Sequence, residues 1–288
     1  MRPDLHLDRY ARVDDFLATS GTFLEEREAE HNLILGICSR LRRNPNAFNE
    51  PPYLAAVSGG GQVMGVTIRT PPYNLILSEM ADPTPLGLIV HDLAQEPLPG
   101  VVGPPEGVAA FAERWSMLKD GAWEIQMRER IFRLRHVVAP RPTAGVMRPA
   151  EPGDRNVLIE WMIAFGREAL PEANAEGVAE AVDEWLAGIG RRIFLWDEDG
   201  PVSLVGAGGE TPNGIRIGPV YTPPRFRGRG YASALTAAVS QAMLDEGRRF
   251  CFLYTDLANP TSNKIYQAIG YEPVTDALMV GFTPPRAA

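Results

Sequence analysis

Lysine is nearly missing from this chain of 288 residues: of its 28 basic residues, only Lys119 and Lys264 are not arginine. Acids outnumber bases, so the net charge is −8 and the pI is near 5.2. That balance lacks the positive footprint that grips a nucleic-acid backbone or an anionic bilayer, and it excludes both as the main partner. Cysteine is as scarce. Cys38 and Cys251 stand far apart in apolar patterns, which excludes a disulfide framework and reads as two buried thiols in a reducing compartment. Long apolar runs are missing too: none approaches the roughly 18 residues of a membrane span. The start, MRPDLHLDRYARVDDF, carries no secretory apolar core. The expectation is a soluble, cytoplasmic protein with no metal centre. Histidine is confined to His6, His31, His91 and His136, which removes it from the chemistry of the C-terminal half.

What is present suffices for about two domains, with 45% hydrophobic residues to build their cores. Leu5 to Phe16 reads as a strand or turn leading into a helix. Thr22-Phe23-Leu24-Glu25 has the form of a capping box, predicting a helix from there to about Arg43. Tyr53–Val57 and Val63–Ile68 form a hairpin across three glycines, and Asn74–Ser78 is a further strand. Asp82 followed by Pro83 predicts a short helix to Gln95, Pro105–Leu118 a second, and Ala122–Val137 one long strand or two. Pro140-Arg141-Pro142 marks a linker over 140–144, between domains at 1–139 and 145–288. The second half repeats the order. It has a strand at Val146–Arg148, helices at 154–169 and 175–189, a hairpin at 193–196 and 202–206, then a strand, a loop and a helix. A strand over Arg249–Thr255, a helix over Ser262–Ile269 and terminal strands near 271–274 and 277–282 follow. Gly65–Pro71 and Gly206–Pro212, 141 positions apart, share Gly, Thr and Pro at matching places. An internal duplication is the reading.

The second half is organised around Ile215–Ser233, IRIGPVYTPPRFRGRGYAS. Pro223 and Pro224 end the strand, because neither can donate to a ladder. Arg227, Gly228, Arg229 and Gly230 then open a helix. A glycine loop at a helix start leaves backbone N–H groups unpaired at the positive end of the dipole, which is an anion site. The arginines add charge suited to phosphate; without a ligand the stretch is simply a helix start with surface arginines. A nucleoside-triphosphate loop needs Lys-Ser/Thr after its last glycine, where this chain has Tyr231 and Ala232. The dinucleotide fingerprint fits Gly228 and Gly230 but finds Ser233 at its third glycine and too long a turn before its first.

Arg227-Gly228-Arg229-Gly230-Tyr231-Ala232 resembles the R/Q-x-x-G-x-G/A signature of the GCN5-related N-acetyltransferase (GNAT) superfamily. Asn259-Pro260-Thr261-Ser262-Asn263-Lys264-Ile265-Tyr266-Gln267-Ala268-Ile269-Gly270-Tyr271 resembles the run that follows strand five in that family. The resemblance covers about Gly145 to Phe282. It implies an α/β (α+β) fold of two tandem GNAT-like domains, each a mixed, mostly antiparallel sheet flanked by helices. The N-terminal copy is degenerate, since Ser78–Gly87 has neither arginine nor paired glycines. The implied reaction moves an acetyl group from acetyl-CoA to an amine. Backbone of Gly228 to Ser233 (including Tyr231 and Ala232), with Arg227 and Arg229, would hold the diphosphate. The main chain of Val220, Tyr221 and Thr222 would pair with the pantetheine arm. Gly218-Pro219 would supply a bulge that splays the strand and frees N–H groups to polarise the thioester. Asn259 and Asn263 would bond pantetheine amides, unless they only cap the helix. Tyr266 stands where the family has its general-acid tyrosine, unless it is only a core aromatic beside Ile265 and Ile269.

The general base stays open between Glu210, Asp256, a water chain and an amine that arrives neutral. The acceptor, a small-molecule or peptide amine, is not named by the sequence. Residues 151–190 hold nine acids and two bases. They form either an acidic lid for a cationic amine or the solvated faces of two helices. A non-catalytic acyl-CoA-binding sensor or complex subunit is the alternative. Two fused copies argue for a monomer or a weak homodimer.

Overall fold

The computed structural model describes residues 4–169 and 175–283. Its first pass gives β1 (Leu5–Arg9), α1 (Val13–Glu26), α2 (Asn32–Arg43), β2 (Tyr53–Gly59), β3 (Gln62–Arg69) and β4 (Leu75–Leu77). These are followed by α3 (Thr84–Asp92), β5 (Gly100–Gly103), α4 (Pro105–Lys119) and β6 (Ala122–Leu134). Its second pass gives β7 (Val146–Pro149), α5 (Arg155–Ala169), α6 (Val178–Leu186), β8 (Arg191–Asp197), β9 (Pro201–Gly208) and β10 (Gly214–Tyr221). Then come α7 (Tyr231–Asp245), β11 (Phe250–Asp256), α8 (Pro260–Ala268) and β12 (Glu272–Thr283). Both passes read strand, two helices, three strands, helix, strand, helix, strand. This is the tandem α/β arrangement, mostly antiparallel and flanked by helices, that the sequence implies.

Packing divides the described chain into two compact units. One comprises 4–131, 256–258 and 274–283; the other comprises 132–255 and 259–273. In the first, β1-β2-β3-β4 are antiparallel neighbours, β4 pairs parallel with β5, and β5 pairs antiparallel with β12 from Leu278↔Gly103 to Gly281↔Gly100. Helices α1 and α2 cover one face through Phe16, Leu24, Ile34 and Leu41; α3 and α4 cover the other through Leu86, Ile89, Phe111 and Trp115. In the second, β7-β8-β9-β10 are antiparallel and β10 pairs parallel with β11. Helices α7 and α8 pack on one face through Leu235, Val239, Met243 and Ile269, and α5 and α6 on the other through Leu158, Trp161 and Val182. Each such side chain, fully buried, contributes ~2 kcal/mol.

Several local expectations are corrected. Thr22–Glu25 lies inside α1 and caps nothing, because the buried stripe of Phe16, Ser20 and Leu24 carries that helix on to Glu26. A separate helix then starts at Asn32 and ends at Arg43. The terminal strands are one strand, β12. The short β5, only Gly-Val-Val-Gly, carries no periodicity and was not foreseen. The β2–β3 hairpin turns at Gly60 and Gly61, both at positive φ, which only glycine adopts without strain. Cys38 and Cys251 are free and buried, and burial pushes both thiols up to about 12. Lys119 donates to the Ala94 carbonyl at 2.6 Å and lies over the Trp115 ring. No described helix is long and apolar enough to cross a membrane. No described group of His, Cys, Asp and Glu could hold a metal ion.

Candidate functional site

The loop between β10 and α7 ends in a helix start without a side-chain cap. Gly230 is the N-cap of α7 at φ +88 and offers no capping side chain. The N–H groups of Tyr231, Ala232 and Ser233 therefore have no partner within the helix. Gly228, at φ +77, has open space where a side chain would stand; a Cβ at Gly230 would lie 2.9 Å from Thr143 Oγ1. Gly228, Arg229 and Gly230 are all exposed. Tyr231 contributes backbone only, since its ring is buried in the core and its hydroxyl donates to Glu198.

Arg227 is already engaged. Its Nε donates to the Thr222 carbonyl at 2.8 Å and its Nη2 to Glu168 Oε2 at 2.6 Å. The other oxygen of Glu168 accepts from the Tyr221 hydroxyl at 3.3 Å. Burial, with the Glu168 charge behind it, raises the Tyr221 pKa. Glu168 was not singled out in the sequence: it is one acid among nine, and only the end of α5 brings it to the loop.

Strand β10 also has the expected break. Ile217 pairs with Ala207 and Val220 with Val205, so three steps on β10 oppose two on β9 across Gly218-Pro219. The parallel ladder to β11 runs Gly214↔Phe250 to Arg216↔Phe252, ahead of the bulge. Val220, Tyr221 and Thr222 follow it. The carbonyls of Tyr221 and Thr222 accept from Ser203 and Arg227, so part of the edge expected to pair with a ligand is in use.

Tyr266 on α8 is buried, edge-on to Tyr271, and burial raises its hydroxyl to about 12. Asn259 caps α8, accepting from the Ser262 N–H at 3.1 Å, and Asn263 donates to the Asn259 carbonyl at 2.8 Å. The two candidate bases part company. Asp256 ends β11 and its carboxylate accepts from the Ala258 N–H. Glu210 pairs with Arg248 at 3.2 Å, past the far end of α7. Fifteen helical residues, ~22 Å, separate that end from the loop before α7.

Three acids of the 151–190 stretch are paired: Asp154, just before α5, with Arg148, Asp183 with Arg155 and Glu168 with Arg227. Glu160, Glu180 and Glu184 are exposed.

Residues 199–280 match the sequence model of the FR47-like protein family. No curated protein sequence matches. Among solved structures, a Drosophila protein superposes with a TM-score of 0.70 at 13% identity, over 96% of this chain and 98% of its own. A GCN5-related N-acetyltransferase from Sphaerobacter thermophilus gives 0.61 at 16% identity, over 99% and 98%. A tandem GNAT protein from the clavulanic acid biosynthesis pathway gives 0.57 at 16% identity, over 99% and 100%.

Proposed function

From the tandem GNAT fold and the FR47-like region around its anion loop, we propose that this protein is an N-acetyltransferase that uses acetyl-CoA to acetylate a small-molecule or peptide amine. The observation that carries the reading is the uncapped N-terminus of α7, fronted by two arginines and two positive-φ glycines and set beside a bulged β10.

Acetyl-CoA supplies the activated acetyl group as a thioester. The N–H groups of Tyr231 to Ser233, with Arg227 and Arg229, would hold its diphosphate. Arg227 would exchange the Glu168 carboxylate for phosphate oxygens. Backbone N–H groups at the Gly218-Pro219 bulge would polarise the carbonyl. The Tyr266 hydroxyl would give its proton to the departing sulfur and regain one lost by the amine nitrogen, so that amide and free thiol are the net products. In this reading a water carries the amine's proton to the Tyr266 oxygen.

Calorimetric titration with acetyl-CoA, CoA and NAD is the test. Coenzyme A binding that disappears in an Arg229→Ala/Gly230→Val double variant supports the proposal; binding of NAD alone overturns it. The burial of Tyr266 keeps a second reading open, a non-catalytic acyl-CoA-binding sensor. It predicts binding without turnover on any amine.

A further inference from the structure

One face of the second unit is surfaced unlike the rest. Ile215, Ile217, Cys251, Leu253, Phe132 and Leu134 face the core under α7 and α8. Strand alternation sends Arg216, Phe250, Phe252, Tyr254, Arg133 and Arg135 to the opposite face. Helices α5 and α6 cover the β8–β9 part of that face and the ring of Tyr221. Toward β11 and β6 it turns to alternating arginine and aromatic groups. Arg135 lies 5.7 Å over the Phe250 ring and Arg216 lies 5.9 Å over Tyr254. Arg216 stands in register with Phe252, which is fully buried. Arg133 Nε is buried with no hydrogen-bond partner among the described residues, so a donor there lacks its acceptor.

We infer that the amine acceptor carries an oxyanion, a carboxylate or a phosphate, that docks on this arginine face. Arg216 is two residues before the Gly218-Pro219 bulge, ~7 Å along the strand. An anion held there would leave an amine a few bonds away within reach of the bulge. Guanidinium forks suit planar and tetrahedral oxyanions, and the stacked rings hold their planes in place. The buried Arg133 Nε without an acceptor is the observation that asks for an anionic partner on this face. The amine part of this inference rests on the acetyltransferase reading; the anion part rests on the face alone.

The test separates the two. N-acetylglycine, N-acetylglycinamide and N-acetylaminoethyl phosphate are titrated calorimetrically against the whole chain, with coenzyme A binding measured independently. Binding of an anionic probe at least tenfold tighter than the neutral amide is expected, and whichever anion wins identifies the oxyanion. Arg133→Gln and Arg216→Gln should each weaken it about ten- to a hundredfold while coenzyme A affinity stays within twofold. Arg135→Gln, an exposed position, is the control that cannot fail through misfolding and should weaken it less. Equal binding of the neutral amide, or arginine variants that bind the anion unchanged while folded, overturns the inference. Failure of coenzyme A to bind overturns the acetyltransferase reading instead.

Discussion

Helices α3 and α7 hold the same place in the order of elements, yet their N-termini are finished in opposite ways. At α7 the cap is Gly230, and arginines stand before it. At α3 the preceding Asp82 accepts from the Thr84 N–H at 2.7 Å, and the Thr84 hydroxyl together with that N–H holds its pKa below the usual carboxylate range. The loop before α3 is closed in the same manner. Val66 N–H donates to Ser78 Oγ, and Glu79 N–H donates to His31 Nε2 at 3.0 Å. Met80 sits against Gly65. One copy leaves its donors pointing outward; the other has spent them on itself. A shared fold therefore fixes where the helix start stands, and a few loop residues decide whether its donors are used.

The comparison breaks most sharply if the α7 loop is closed. Gly230→Val forces a branched residue to positive φ and drives its Cβ toward Thr143. Coenzyme A affinity measured by calorimetry should fall by two orders of magnitude or more, while the same change at exposed, open Gly87 on α3 leaves it untouched. Tyr266→Phe should lower kcat about 10²-fold or more, with coenzyme affinity within twofold; an unchanged kcat would remove Tyr266 from the chemistry. Glu168→Gln takes away a carboxylate that competes with phosphate for Arg227. The exposed pair is worth under ~1 kcal/mol. Affinity for coenzyme A should therefore rise about two- to fivefold in low salt, and the gain should shrink in high salt. Weaker binding would instead make Glu168 a positioning residue for Arg227.

The closed copy has a pH signature. Burial lowers the pKa of His31. Below pH of about 6.5 an unfolded histidine takes up a proton that the folded one resists, so stability drops as pH falls through that value. His31→Asn should flatten the thermal-denaturation profile between pH 7 and 5. Asp82 acts in the same direction at lower pH: its contribution is present above the ordinary carboxylate range and is lost as pH falls through its lowered value.

Much of this was legible in the sequence where local chemistry decides. Paired glycines beside arginines announced the loop, Gly218-Pro219 announced the bulge, and alternating apolar residues announced most strands. What was not legible depends on distant groups meeting. Glu168 lies 59 residues from Arg227. The arginine face needs strands β6, β11 and β10 side by side before Arg133, Arg135 and Arg216 share it. The pairing of Glu210 with Arg248 was likewise hidden, because a position after β9 does not say which residue past α7 it meets. The capping box in α1 misled because a favourable tetrapeptide yields to a buried stripe that continues through it.

If acetyl-CoA is the reagent, as proposed, the contact of Lys119 with Trp115 and the Ala94 carbonyl bears on how the protein survives it. Thioesters acylate exposed amines without any enzyme, whereas a guanidinium stays protonated and inert. With arginine at nearly every basic position and Lys119 tucked against an indole, little of the surface can be spoiled by stray acylation. Lys264, exposed on α8, is the side-chain amine left open to it. Peptide mass mapping after long incubation with acetyl-CoA should find modification there before Lys119.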